Sequence, residues 1–171
     1  MNFVMPTFIW ECIRVDARRY GNGYFTASGF WVVFSYRVRR LRKYGPMYCR
    51  FLLPFDVLFG LIKSVLSDVT LPSCVAIGAG LYLPHPHGIF INHRVKIGSY
   101  VSIFQDVTIG EWHDAAPSIG DHSALFAGAK VFGGISVGKN CKLGANVVVN
   151  IDIPDDTSAS VRPSLLRFRG E

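Results

Sequence analysis

The sequence has no C-x-x-C pair, few charges and no uninterrupted apolar run. Its four cysteines, Cys12, Cys49, Cys74 and Cys141, are widely separated and unpatterned, where a disulfide or zinc framework needs close, repeated spacing. Reduced thiols in a cytoplasmic protein are expected. Charged residues make up 18% of the chain and hydrophobic ones 50%, which excludes a disordered polyelectrolyte. There is neither an A/E/K/L/R bias nor a glycine at every third position, so coiled coil and collagen are excluded as well. Residues 51–66 are apolar but short, and carry Pro54, Asp56 and Lys63. Residues 69–93 contain no Asp, Glu, Lys or Arg, yet are too rich in Gly and Pro to form a spanning helix of about 20 residues. The opening MNFVMPTFIWECIR has no basic stretch ahead of an apolar one, so no secretory signal is expected. The 171 residues suit one domain.

Charge and glycine divide the chain in two. Residues 1–70 hold ten Lys or Arg against four Asp or Glu, whereas residues 71–171 hold eight of each. The first section reads as helical. Ser28 is placed to cap a helix running to Tyr44, with Phe30, Val33, Phe34, Val38 and Leu41 at helical spacing. Arg37, Arg39, Arg40, Arg42 and Lys43 gather toward its end, where cations suit the helix dipole, and Gly45-Pro46 stops it. A second apolar helical stretch, 47–67, is interrupted at Pro54, and a short helix is expected around 11–19. The basic cluster is expected either to be a solvated helix face or to give peripheral contact with an anionic membrane, at about 1 kcal/mol per cation. No nucleic-acid motif accompanies the charge.

From residue 77 onward a period of six takes over. Aliphatic anchors recur at Ile77, Leu83, Ile91, Ile97, Ile103, Ile109, Ile119, Leu125, Val131, Val137, Leu143 and Val149, and Gly follows many of them. A second small or branched residue stands two positions earlier, as in Val95, Val101, Val107, Ala129 and Cys141. A six-residue beat is not helical. It fits short strands alternating in and out, joined by glycine-bearing turns, with glycine expected to supply positive φ at the corners. Twelve anchors at three per coil predict about four coils. Two places break the beat: the His85-Pro86-His87-Gly88-Ile89 stretch, and an insertion within Gly110-Glu111-Trp112-His113-Asp114. Departures from a regular scaffold are where sites are built.

Across residues 69–162 the chain resembles the serine acetyltransferase group of hexapeptide-repeat acyltransferases. The resemblance rests on His85-x-x-Gly88-Ile89, Gln105-Asp106-Val107-Thr108-Ile109-Gly110, Pro117-Ser118-Ile119-Gly120, Ala127-Gly128-Ala129-Lys130-Val131 and Gly138-x-x-x-Lys142-x-Gly144-Ala145. It implies a mainly β fold, a left-handed parallel β-helix of hexapeptide repeats behind an N-terminal helical section. The expected division is 1–70 helical, 71–162 β-helix, and 163–171 a C-terminal tail. The resemblance makes His85 the general base that takes a proton from an acceptor hydroxyl, which then attacks the thioester of acetyl-CoA. An imidazole titrating near 6.5 suits that role, because an alcohol is a poor nucleophile at neutral pH. Ala127, Gly128 and Ala145 match positions that line the CoA groove, Lys142 one that meets phosphate, and Lys130 is a weaker candidate. His113 is a candidate second catalytic histidine. No metal is expected, and a homotrimer is implied, since the family's groove lies between neighbouring prisms.

The chain also departs from that pattern. Members acting on L-serine carry Asp where this chain has Pro84 and Thr70, and Arg-His where it has Ala115-Ala116. The expected function is therefore acetyl transfer to a hydroxyl, with a sugar of a surface polysaccharide (capsule, exopolysaccharide or lipopolysaccharide) as first acceptor and L-serine for cysteine synthesis as the alternative. A zinc lyase like the gamma-type carbonic anhydrases and an inactive trimeric scaffold are the readings from other classes. Localisation is expected to be cytoplasmic, at the inner face of the membrane if the basic section binds lipid.

Overall fold

A computed structural model describes residues 5–161, so the expected tail and Arg162 lie outside the described residues. Three helices come first: α1 (Met5–Arg19), α2 (Ser28–Tyr44) and α3 (Leu53–Leu66), with 3₁₀ turns at Gly21–Thr26 and Met47–Leu52 between them. Short strands of two or three residues follow, all paired parallel and in register. They form three sheets. The first holds Val69–Thr70, Ile89–Ile91, Thr108–Gly110, Lys130–Phe132 and Val148–Val149; the second holds Ala76–Ile77, Lys96–Ile97, Ser118–Ile119 and Ser136–Val137. The third holds Ser102–Ile103, Ala124–Leu125, Lys142–Leu143 and Ser158–Ala159. Bridges add Tyr82 to the third sheet and Ile153 to the second.

The chain visits the three sheets in turn five times, forming a parallel β-solenoid of five coils rather than the four expected. The anchors between 77 and 149 leave out three rungs: Val69–Thr70, Ile153 and Ser158–Ala159. All twelve anchors point inward, none more than 6% exposed, and they stack into one aliphatic core. Strands this short have no stability alone; it is the stacking that removes their apolar side from water.

The glycines after the anchors serve a different need from the expected one. Positive φ at the corners falls instead on residues such as Tyr100, Asp106, His122, Asn140 and Asn146, and on Gly80, Gly88 and Gly128. Gly120 and Gly138 are required because the next coil passes too close. A Cβ on Gly120 would sit 2.5 Å from the Gly138 carbonyl carbon, and one on Gly138 would sit 2.5 Å from the Asp155 nitrogen.

The helical section closes the open top of the solenoid. Val32, Val33 and Tyr36 of α2 join the aliphatic core. Polar side chains meet the backbone of the first coil, which has no coil above it to pair with. The Asp16 carboxylate accepts from Gly80 N at 2.7 Å and Leu81 N at 2.9 Å, and pairs with Arg37 at 2.8 Å, each side chain 1% exposed. Arg37 donates onward to Ile77 O and Gly78 O, Arg40 to Ser73 O and Val75 O, and the Tyr36 hydroxyl to Val75 O at 2.7 Å. Burial pushes the Tyr36 hydroxyl above its ordinary pKa, so it remains a neutral donor.

Four of the five residues of the basic cluster are accordingly engaged, and only Lys43 is exposed with no ion pair among the described residues. Arg37 is internal, Arg40 is spent on carbonyls, and Arg39 and Arg42 pair with Asp56 at 3.2 and 2.8 Å. Ser28 is the first residue of α2, not its cap; Ala27 holds that place without a side-chain bond. The Gly45 N–H closes α2 on Leu41 O at 2.8 Å, as Gly45-Pro46 predicts. Pro54 falls in the first turn of α3, where its missing N–H is harmless, so it starts a helix instead of interrupting one. Among the described residues no helix is long and apolar enough to cross a membrane.

Candidate active site

Both irregular segments lie at corners of the solenoid, but at different corners. The His85 segment turns from the third sheet of coil one into the first sheet of coil two. Pro84 and Pro86 flank His85 and restrict its backbone. The His87 N–H donates to His85 O at 2.9 Å, a three-residue turn, and Gly88 follows with φ +63°. The positive φ disfavours any side chain at position 88, and a Cβ there would also displace the Asp106 carboxylate. His85 and His87 are exposed while Pro86 is buried, so the turn is anchored with its imidazoles outward.

The same corner recurs on every coil below. Asp106 N donates to His87 O, Gly128 N to Gln105 O and Asn146 N to Ala127 O, each at 2.9 Å. His85–Gly88, Gln105-Asp106, Ala127-Gly128 and Ala145-Asn146 therefore form one continuous edge. Three steps of about 4.8 Å make it about 14 Å from the histidines to Ala145. That is comparable to an extended pantetheine arm, and the small residues leave the backbone open to it. Two cations of the fourth coil flank the lower half. Lys142 is exposed on the third sheet between Ala124 and Ser158, and Lys130 stands half-buried on the first sheet between Thr108 and Val148. Five of the six expected site residues (His85, Ala127, Gly128, Lys142 and Ala145) thus share one edge.

His113 does not. The insertion closes as a two-residue hairpin, Trp112 N to Ala115 O at 3.0 Å and Ala115 N to Trp112 O at 3.2 Å. Positive φ at His113 (51°) and Asp114 (57°) makes its turn type I′. His113 is the exposed tip, its ring 4.8 Å from that of Trp112. The hairpin belongs to coil three and leaves the first sheet at its far side, so the sheet's width separates His113 from His85 within one chain. Position 134 is held to glycine by this hairpin, since an added Cβ there would come within 2.7 Å of the Ala115 Cβ.

Among the described residues no carboxylate hydrogen-bonds the His85 ring. Thr70 is exposed on the first sheet, paired with Phe90. One feature of the edge escaped the sequence reading. Gln105 Oε1 is buried with no hydrogen-bond donor among the described residues. Leaving such an acceptor unmet costs about 1–3 kcal/mol, so it calls for a donor from water, a bound molecule or a second chain. The only sequence signal was its position in the corner register below His87. Among the described residues no three His, Cys, Asp or Glu side chains are grouped to hold a metal ion.

No family model matches the chain. It is 31% identical to a serine acetyltransferase of Bacillus pumilus over 146 residues, covering 83% of this chain and 65% of the relative. It thus spans less than two thirds of that relative's length. A solved serine acetyltransferase in complex with CoA superposes at TM-score 0.75 and 27% identity, over 92% of this chain and 69% of the other. The serine acetyltransferase of Neisseria gonorrhoeae in complex with serine does so at TM-score 0.75 and 25% identity, over 92% and 68%. The superpositions take in the helical section as well as the coils, since the solenoid alone makes up far less than 92% of the chain.

Proposed function

We infer, from a chain that is serine acetyltransferase-like in its repeats, its fold and its helical section, that it is an acyltransferase moving the acetyl group of acetyl-CoA to a hydroxyl oxygen. The observation that carries this reading is the single edge joining His85 to Ala127-Gly128, Ala145 and Lys142. CoA lies along that edge, with its arm against the small residues and its phosphates toward Lys142 and Lys130. The His85 imidazole takes the proton of the acceptor hydroxyl as the oxygen attacks the thioester carbonyl carbon. Backbone N–H groups of the irregular coil offer charge to the tetrahedral oxyanion. The C–S bond then breaks, and the thiolate leaves with the proton that His85 had taken.

L-serine is the acceptor that the relatives' names favour, and a polysaccharide sugar has no support from them. One observation keeps a sugar as the second reading. Pro84, Thr70, Ala115 and Ala116 occupy positions where L-serine enzymes, in the resemblance, carry charged residues or histidine. Thiol release from acetyl-CoA by the full chain, with L-serine and with a panel of nucleotide sugars and oligosaccharides, separates the two. Saturable turnover with L-serine is expected; turnover with a saccharide alone would replace it, and turnover with neither would remove the enzymatic reading.

A homotrimer completes the site in this reading. His85 and the His113 hairpin lie on opposite margins of the first sheet, so a neighbouring copy is what sets a hairpin beside the edge. Buried free thiols at Cys12, Cys49 and Cys141 suit a reducing, cytoplasmic compartment.

A further inference from the structure

The helical section carries a surface that acetyl transfer does not use. Met47 is 78% exposed, Phe51 85%, Phe55 56% and Leu58 52%, a set of large apolar side chains on the 3₁₀ turn and α3. Asp56 and Gly60, four residues apart, look toward α2, where Asp56 pairs with Arg39 and Arg42 and Gly60 lies 4.0 Å from the Arg39 guanidinium at the position a Cβ would take. Phe55 and Leu58 therefore stand on the opposite side of α3. A cavity of about 600 Å³ adjoins this face, lined by Arg42, Lys43, Gly45, Met47, Arg50 and Leu53. Its lining has three cations and no carboxylate among the described residues; Arg42 is paired with Asp56, while Lys43 and Arg50 make no ion pair among those residues. The nearest acid, Asp56, is 8% exposed and already engaged.

We propose that this face is a docking surface for an anionic lipid bilayer, with the apolar side chains in the headgroup boundary and a lipid phosphate in the cationic cavity. At 14 residues α3 is about 21 Å long, too short to span and suited to lying in the interface. Charge decides the occupant. A second copy packed face to face would set the cations of one cavity near those of the other, with no carboxylate in either lining to answer them. A phosphate-bearing surface answers them directly, by attraction that added salt screens. Of the α2 basic cluster only Arg42 and Lys43 reach this surface; Arg37 is internal, Arg40 is engaged by carbonyls and Arg39 pairs with Asp56.

The experiment is co-sedimentation of the full chain with vesicles of phosphatidylcholine alone and of phosphatidylcholine with phosphatidylglycerol, at low and high salt. Retention on the anionic vesicles at low salt, reduced at least 10-fold by Phe51→Ser/Phe55→Ser and by Lys43→Gln/Arg50→Gln, is the expected result. Circular dichroism and sedimentation velocity on the same variants show whether fold and assembly are intact. Failure of the unmodified chain to bind anionic vesicles overturns the proposal, as does retention indifferent to both variants. A drop in oligomer size in Phe51→Ser/Phe55→Ser without any vesicle binding assigns the face to chain–chain contact instead. The readout needs no acetyl acceptor, so it stands or falls apart from the enzymatic reading.

Discussion

The helical section and the solenoid solve the same problem, a row of backbone groups needing partners, by opposite means. In the solenoid each coil pairs its neighbour backbone to backbone, and the side chains have only to fill a core. At the top the next coil is missing, and Asp16, Tyr36, Arg37 and Arg40 stand in for it. The repetitive half therefore depends on packing and on bare glycine, the capping half on a few long-range polar contacts. A single polar substitution should injure the cap, whereas a single added methyl should injure the coils.

The largest effect is expected from Arg37→Ala, which leaves the Asp16 carboxylate buried and unpaired. A loss of about 3–5 kcal/mol follows, read from the denaturant midpoint. A change below about 1 kcal/mol would mean that the cap does not hold the first coil. Next, His85→Ala should lower turnover at least about 10²-fold while CoA still binds by calorimetry, because the base is lost and the edge is not. Unchanged turnover would remove His85 from the chemistry. Gly120→Ala should cost about 1–3 kcal/mol through the clash with Gly138, seen as a lower melting temperature. Lys142→Ala should raise KM for acetyl-CoA several-fold with kcat little changed, the mark of lost uniform binding; an effect on kcat alone would assign Lys142 to the chemistry. The smallest is Gly60→Ala in α3. Among the described residues a Cβ there meets nothing nearer than Arg39 at 4.0 Å, so a gain of about 0.5–1 kcal/mol is expected from helix propensity. Opposite signs at Gly120 and Gly60 would sharpen the contrast between the two regions; equal losses would break it.

The same contrast governs what was legible in the sequence. Every period-six anchor proved buried, because a strict repeat encodes its own neighbours: Ile97 finds Ile77 and Ile119 by register alone. The edge that carries five expected site residues was readable for the same reason. The cap was not. Arg37 meets Asp16 across 21 residues and the first coil across 40, contacts that helical spacing cannot announce, so its charge read as surface. The role of the glycines was misassigned because composition does not distinguish a positive φ from a close approach. The His113 hairpin was hidden too, since Trp112-His113-Asp114-Ala115 contains none of the glycine that usually signals a type I′ turn. Gln105 carried its signal only as an unfilled hydrogen bond, a property of three dimensions.

The corner ladder beneath His85 also behaves as a gauge. Each coil adds a fixed rise of about 4.8 Å between the backbone that carries the imidazole and the backbone that carries the lysines. Adding or deleting one coil between Ile89 and Lys130 would move the base one whole step from the cations, out of reach of a molecule of fixed length. Lineages descended from this chain are therefore free to vary the number of coils after Val149, and to lengthen or shorten the Trp112 hairpin on the opposite margin. The two coils between His85 and Lys130 are metrically frozen, whatever acceptor the chain comes to use.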